Sequence, residues 1–475
     1  FFLLSLGAIL LSWLILPAVS RPILVLGSLL LLSLVLLVFS AFRKTFRQIQ
    51  PPAWLRPLDH WKALEPIRKN TLLVLAILSL LYFLLFIPVN LLYTDTEHTF
   101  YHHSGDEGVI YPILMSMFEP AETLHAQLYH RFIYEDYHYG YPFYAVSALA
   151  VLHARILFGA DFAARVRINM LLLRQLVSVL PVILSALTLV YMITRFGRRL
   201  SSIGLFLFLL AVPGVVSYNG LFWHPDALAV LFVVLTLFFL QRDGFSFSHN
   251  WVFAAITCGI ASAIRLLGFF CVLAVAYVLL YALIAKKMSF WKIVSAGAIF
   301  LLVMSAVIVI SSPYLLMASS RANFAAIFAE KRLEMAFGYD QPDPENIYRT
   351  GWAAWLPFLE KHWGEKWFLL FAAVGLTLTS LRGSDRHTPR LIALWVVASL
   401  GYLIYFVAVK SFQYLLPPML IFHSAAFNLP IWLRENRQNR PGVFLALEIL
   451  CLALIAAQFV AWLAADWRIY LSNFP

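Results

Sequence analysis

Runs of 17 or more apolar residues recur along this chain from end to end, each long enough to cross the ~30 Å hydrocarbon core of a bilayer as a helix. In hydrocarbon the backbone must satisfy its own hydrogen bonds, so only helices or closed barrels can span. A barrel would be built from ~10-residue strands of alternating polarity, and these runs do not alternate. Composition agrees: 62% of the 475 residues are hydrophobic and 12% are charged, about half the ~25% charge of soluble domains. A soluble enzyme and a disordered chain are excluded. The fold class is an all-α polytopic membrane protein. The net charge of +11 reflects topology and anionic headgroups, not nucleic acid. The three cysteines, Cys258, Cys271 and Cys451, lie in apolar segments and imply neither disulfides nor a zinc site. The opening FFLLSLGAILLSWLILP has no initiator Met or basic region, so it reads as a trimmed start rather than a signal peptide.

Hydropathy windows give about thirteen spans, near 1–17, 22–41, 72–92, 168–194, 201–218, 224–240, 251–264, 266–285, 290–313, 366–381, 389–409, 412–433 and 442–464. The apolar stretch 142–158 contains His153 and Arg155 and is expected to lie in, or partly enter, the outer leaflet. Short basic loops, FRKTFRQ through LRPLDHWKALEPIRKN, TRFGRR, AKKMSFWK, LRGSDRHTPR and LRENRQNR, then fall on one side, the cytoplasm. The long loops 93–167 and 314–365 face outward, with the N-terminus inside and the C-terminus outside. Segment 251–287 is too long for one span and is expected to break at Arg265. Trp352, Trp355, Phe358 and Trp363 recur at helical spacing and are expected to form an interfacial aromatic belt. Glu448 lies inside the last span, either as a functional carboxylate or bonded to a neighbouring helix.

The chemistry concentrates in residues 93–141, which hold eight of the 24 acids and six of the 13 histidines. Leu, Phe and Tyr are interleaved with the charges, so a structured external loop is expected. Asp106-Glu107 follows the turn-prone Ser104-Gly105 and precedes an apolar run, which is also an ordinary helix start. A carboxylate held there can take a proton from a hydroxyl or hold a cation. His102 and His103 with Asp106 are the candidate divalent-metal ligands, and no other cofactor is implied. Trp223-His224-Pro225-Asp226 lies on the same face, either as helix-start chemistry or as a substrate contact. Arg265, Lys410 and Arg321 also fall outside. Arg265 and Lys410 sit between tightly spaced spans, where a cation pairs with an anion such as phosphate or snorkels to headgroups. In Lys410-Ser-Phe-Gln-Tyr414-Leu-Leu-Pro417-Pro418 the prolines are expected to bend or break the helix. No Gly-rich phosphate loop, HExxH or GxSxG occurs.

The ordered series of the Asp-Glu loop, YGYPFYAVSALAVLHARILFG, ADFAARVRINMLLL, VYMITRFGRRL, LFWHPDALAVLFVVLTLFFLQRD, GIASAIRLLGFF and KSFQYLLPPMLIF resembles the GT-C superfamily of membrane glycosyltransferases. The likeness is to the branch of protein O-mannosyltransferases and lipid A aminoarabinose transferases, and it covers about residues 72–430. It implies a GT-C-type bundle, a polyprenyl-phosphate-linked sugar donor and a lipid, glycan or protein acceptor. Asp106 would be the catalytic base, with Glu107 beside it. Arg265 stands where the family often has Lys near the donor phosphate, and Lys410, Tyr414 and Pro417 resemble its late basic…Tyr-x-x-Pro element. Tyr139-Gly-Tyr-Pro142 matches a His-Pro-Pro-type helix entry only in part. His138, Tyr139, His224, Asp226 and Arg321 complete the expected substrate contacts.

The expected organisation is an N-terminal transmembrane hairpin 1–41, a basic cytoplasmic segment 42–71, a catalytic module 72–433 and a C-terminal helix with a short tail, 434–475. The expected setting is a bacterial inner membrane, with the site facing the periplasm or exterior among membrane lipids. A secondary transporter is the alternative, but neither repeat symmetry nor paired broken helices are present.

Overall fold

The computed structural model describes residues 65–91, 106–134, 137–219, 221–338, 348–383, 385–439 and 441–472. The expected hairpin 1–41, most of the segment 42–71, and His102 and His103 lie outside these. Every regular element among the described residues is helical. Nine of these helices are long and apolar enough to cross a membrane. The chain runs α1 Pro66–Leu91, α2 Asp106–Ser116, α3 Leu124–Phe132, α4 Tyr141–Phe158 and α5 Val166–Thr194. It continues through α6 Arg199–Leu210, α7 Pro225–Asp243, α8 His249–Ile264, α9 Cys271–Ile284 and α10 Phe290–Ile310. It ends with α11 Ala318–Phe337, α12 Trp352–Trp363, α13 Lys366–Arg382, α14 His387–Phe406, α15 Phe412–Ser424 and α16 Pro441–Ser472.

Helix α7 is apolar all round and has no solvent face, the signature of a helix at the centre of a bundle. Ala227, Val230, Val233, Val234 and Leu237 are all buried, against α5, α8 and α15. At its end the chain turns through Gly244 (φ 57°), and the Asp243 carboxylate accepts from the backbone N–H groups of Phe247 and Ser248 at 2.7 and 2.9 Å. The described basic loops gather at this end. Gln241 Nε2 donates to Met192 O (3.1 Å), Lys287 lies over the Phe245 and Tyr281 rings, Tyr277 Oη meets His387 Nδ1 (2.9 Å), and Arg198 pairs with Glu435 (2.8 Å).

At the opposite end Asp106, Tyr139, His224 and Arg265 converge. Helix α4, although long enough to span, starts at this level and forms a hairpin with the first turns of α5. Beyond α4, Tyr111 Oη donates to Ala163 O (2.8 Å), and Asn169 Nδ2 reaches Tyr111 Oη and Phe162 O (2.7 Å each). Arg174, further along α5, is back at the level of Glu107. Out and back, α4 and early α5 leave the chain on the side where it began. Around them sits a second hydrophobic core, where Tyr134 packs on Tyr137, Tyr144 and Tyr314.

Three expectations change. The span expected over 201–218 is split into α6 and a short helix Pro213–Asn219, because the residue before a proline leaves the helical region. Trp355 and Trp363 form no interfacial belt. Both are fully buried in the bundle, and Trp355 Nε1 donates to Val407 O at 3.0 Å. Only Trp352 of that stripe is largely exposed. Pro417 and Pro418 do not break α15, which runs through both. The break expected at Arg265 is present: α8 ends there, and the residue is extended (φ −146°, ψ 134°).

Candidate functional site

Successive residues on a helix point about 100° apart. At the start of α2 this sends Asp106 and Glu107 in different directions. Glu107 turns inward and is fully buried. Its Oε1 accepts from Arg174 Nε (3.0 Å) and from the Trp223 backbone N–H (2.6 Å), while Oε2 accepts from Arg174 Nη2 (2.5 Å). Arg174 Nη1 also reaches Asn90 Oδ1 at 3.5 Å. Burial pushes the Glu107 carboxyl above the usual carboxylate range, with the Arg174 guanidinium pulling against it. With both oxygens engaged, Glu107 ties α2 to α5 and to the loop before α7. The joint is completed by Trp223 Nε1, which donates to Ser147 Oγ (3.0 Å), and by the Trp223 ring stacked on Phe143.

Arg174 lies in a π-helical segment, Arg174–Val179, of α5. Such π-turns inside α-helices are rare and are frequent at functional sites. Ser178 in the same segment accepts from His224 N at 3.4 Å. Arg174 had no place among the residues expected to matter. A lone Arg-Gln within an apolar run was the available signal, since a charge at that depth needs a partner.

Asp106 faces the other way and keeps 43% of its side-chain surface exposed. Its Oδ2 is 3.9 Å from His224 Nε2. His224 Nδ1 contacts Asp226 Oδ2, so the neutral ring donates there and leaves Nε2 as the acceptor. Tyr139 Oη is 3.2 Å from that nitrogen. Burial holds the His224 pKa below its ordinary value, against the pull of Asp226, and burial raises that of the Tyr139 hydroxyl well above the usual range.

Arg265 closes the cluster. Its Nη2 donates to Asp226 Oδ2 at 3.0 Å, and its guanidinium lies 4.9 Å from the Tyr139 ring centre and 6.0 Å from that of Tyr414. Nε of Arg265 and Oδ1 of Asp226 are buried without a hydrogen-bond partner. Two glycines permit this crossing. A Cβ on Gly140 would sit 1.7 Å from Ala263 O, and one on Gly268 would sit 2.4 Å from Ser262 N. Only bare backbone lets α4 and the turn after Arg265 come so close to α8.

Asp106, Tyr139, His224, Asp226, Arg265 and Tyr414 are thus brought together. Lys410 lies four residues before Tyr414, in the extended chain ahead of α15, donating to Arg349 O (3.0 Å) and Ala408 O (3.2 Å) with the Trp355 ring 5.9 Å away. The structure therefore gives Lys410 and Arg265 different immediate partners. His138 is exposed beside Tyr139. Arg321 Nη1 donates to Leu315 O (2.9 Å), next to Ser320, which accepts from Tyr137 Oη. No metal-holding group of three His, Cys, Asp or Glu side chains occurs among the described residues. Comparison with known protein families and with curated protein sequences finds no match.

Proposed function

We propose that this protein is a membrane glycosyltransferase that moves a sugar from a polyprenyl-phosphate donor to an acceptor hydroxyl, on the side of the membrane opposite its basic loops. The observation that carries this reading is the half-exposed Asp106 carboxylate, 3.9 Å from His224, in one cluster with Arg265. A base for the acceptor hydroxyl must be reachable and held in place; Asp106 is part exposed, and Glu107 beside it pins the start of α2 to Arg174 and the Trp223 N–H. The resemblance of the ordered motifs to GT-C enzymes points the same way.

In this reading Asp106 takes the proton of the acceptor hydroxyl. The oxygen attacks the anomeric carbon from the face opposite the phosphate. The bond to phosphate breaks with inversion, and polyprenyl phosphate leaves with its electron pair. Arg265 meets the donor phosphate, with Asp226 fixing the guanidinium and the Tyr139 and Tyr414 rings flanking it. Lys410, nearby on the same chain segment as Tyr414, adds positive charge to that end of the bundle. Glu107 is assigned a positioning role, because its oxygens are already occupied by Arg174 and Trp223.

The test is turnover of polyprenyl phosphates carrying hexose, pentose or aminosugar by protein reconstituted in nanodiscs, read as release of polyprenyl phosphate. Wild type is expected to consume at least one donor, and Asp106→Asn to lose about 10²-fold or more. Solute flux across liposomes with no donor turnover would favour a transporter and overturn the reading.

A further inference from the structure

The end of the bundle opposite Asp106 carries an apolar groove of about 340 Å³ between α6, the helix Asn428–Glu435 and α16. Gly204, Leu207, Phe427, Ile431, Ile455 and Phe459 form its walls. The wall is open at Gly204, where an added Cβ would meet only the Phe427 ring, at 3.7 Å. α16 is long and apolar enough to span a membrane, and α6 is a shorter apolar helix. The groove therefore lies at bilayer depth, where the ambient occupant is a lipid chain.

Its rim is not neutral. Two basic loops far apart in sequence, TRFGRR and LRENRQNR, meet there. Arg198 Nη2 donates to Glu435 Oε1 at 2.8 Å, Arg434 Nε lies 3.3 Å from Glu448 Oε1, and Arg437 Nη2 lies 3.1 Å from Glu448 Oε2. Among the described residues three arginines meet two glutamates there, leaving positive charge in excess. Arg198 Nη1 and Arg437 Nε are buried N–H donors without an acceptor. Arg198, Arg434 and Glu448 line the groove itself, so two of the arginines, and the unmet Arg198 donor, border the apolar channel.

We propose that this groove is a binding site for an anionic phospholipid, with one acyl chain between α6 and α16 and the phosphate on Arg198 and Arg434. A phosphate supplies the negative charge and the oxygen acceptors the rim lacks, and guanidinium forks match its geometry. A zwitterionic headgroup offers no net charge to balance the excess. Basic segments at a membrane surface favour anionic lipids for this reason.

The test uses the full chain, purified in detergent, with phosphatidylglycerol or phosphatidylcholine added and retention read by native mass spectrometry. Wild type is expected to keep one phosphatidylglycerol in preference to phosphatidylcholine. The double variant R198Q/R434Q should weaken that retention about tenfold or more, since charge-assisted contacts are lost. Gly204→Leu should fill the groove and remove retention of the lipid without touching any ion pair. If R198Q/R434Q fails to fold, Gly204→Leu decides alone. Equal retention of the two lipids by wild type, or unchanged phosphatidylglycerol retention in Gly204→Leu, overturns the proposal. A groove filled by another segment of this chain or by a second copy would retain no lipid, and that result overturns it too.

Discussion

Arg174→Met tests the joint that aims Asp106. Glu107 is fully buried and takes two bonds from Arg174 and one from the Trp223 N–H. Removing one partner of a buried pair costs about 3–5 kcal/mol, because the other charge stays behind in a low-dielectric site. At about 2 °C per kcal/mol, the low end of the usual range, the melting midpoint should fall by roughly 6–10 °C. Glu107→Leu should cost at least as much, since it also strands the Trp223 N–H. Replacing both partners by apolar groups removes the stranded charge, so E107L/R174M should melt above either single variant. It should remain about 1–3 kcal/mol below wild type for the unmet N–H. E107Q/R174M retains an acceptor for that N–H and should recover further. A thiol-reactive fluorophore serves as the assay, because Cys258, Cys271 and Cys451 are all buried until the chain unfolds. An R174M protein within ~1 kcal/mol of wild type, or a double variant whose loss equals the two single losses added, would refute the coupling.

Gly140→Ala should lower the midpoint by an amount equivalent to about 1–3 kcal/mol, the usual cost of overpacking, because its Cβ meets the backbone at Ala263 O rather than a movable side chain; an unchanged midpoint would show that α4 and α8 can separate freely. Arg265→Lys keeps the charge but loses the fork on Asp226 and the contact with Tyr139, so donor KM should rise more than acceptor KM; equal changes would remove Arg265 from the donor phosphate. Burial holds His224 below its ordinary pKa of 6.5. The unfolded chain therefore binds the extra proton, and the stability held above about pH 6.5 is lost progressively as the pH falls below that value towards the lowered pKa of the folded state. The melting midpoint of wild type should drop between pH 7 and 5, and His224→Gln should show a shallower drop; identical slopes would exclude His224 as the source.

The sequence determined by itself what depends on local composition. Apolar run length sets a helical membrane fold, because an unsatisfied backbone is too costly in hydrocarbon. Charge in the loops marks one end of the bundle, and the described basic loops do meet there. The break at Arg265 was legible for the same reason, since a 37-residue apolar segment with a cation in it exceeds the ~20 residues of one span. What only the tertiary structure decided are pairings between distant residues. Asp106 and Glu107 read alike in a row of letters, yet one is half exposed and the other is sealed against Arg174, 67 residues away. Trp355 and Trp352 share a stripe, and their different burial depends on the helix Pro213–Asn219 and α14 packing against α12. Arg265 and Lys410 read as one pair of external cations, but packing gives Arg265 to Asp226 and Lys410 to backbone carbonyls. Glu448, a lone carboxylate in its span, acquires Arg434 from the helix Asn428–Glu435 and Arg437 from the turn that follows it. Periodicity reports which face of a segment is apolar. Which neighbour that face meets is fixed by close packing of all the helices at once, and a buried charge is stable only where that packing delivers its partner.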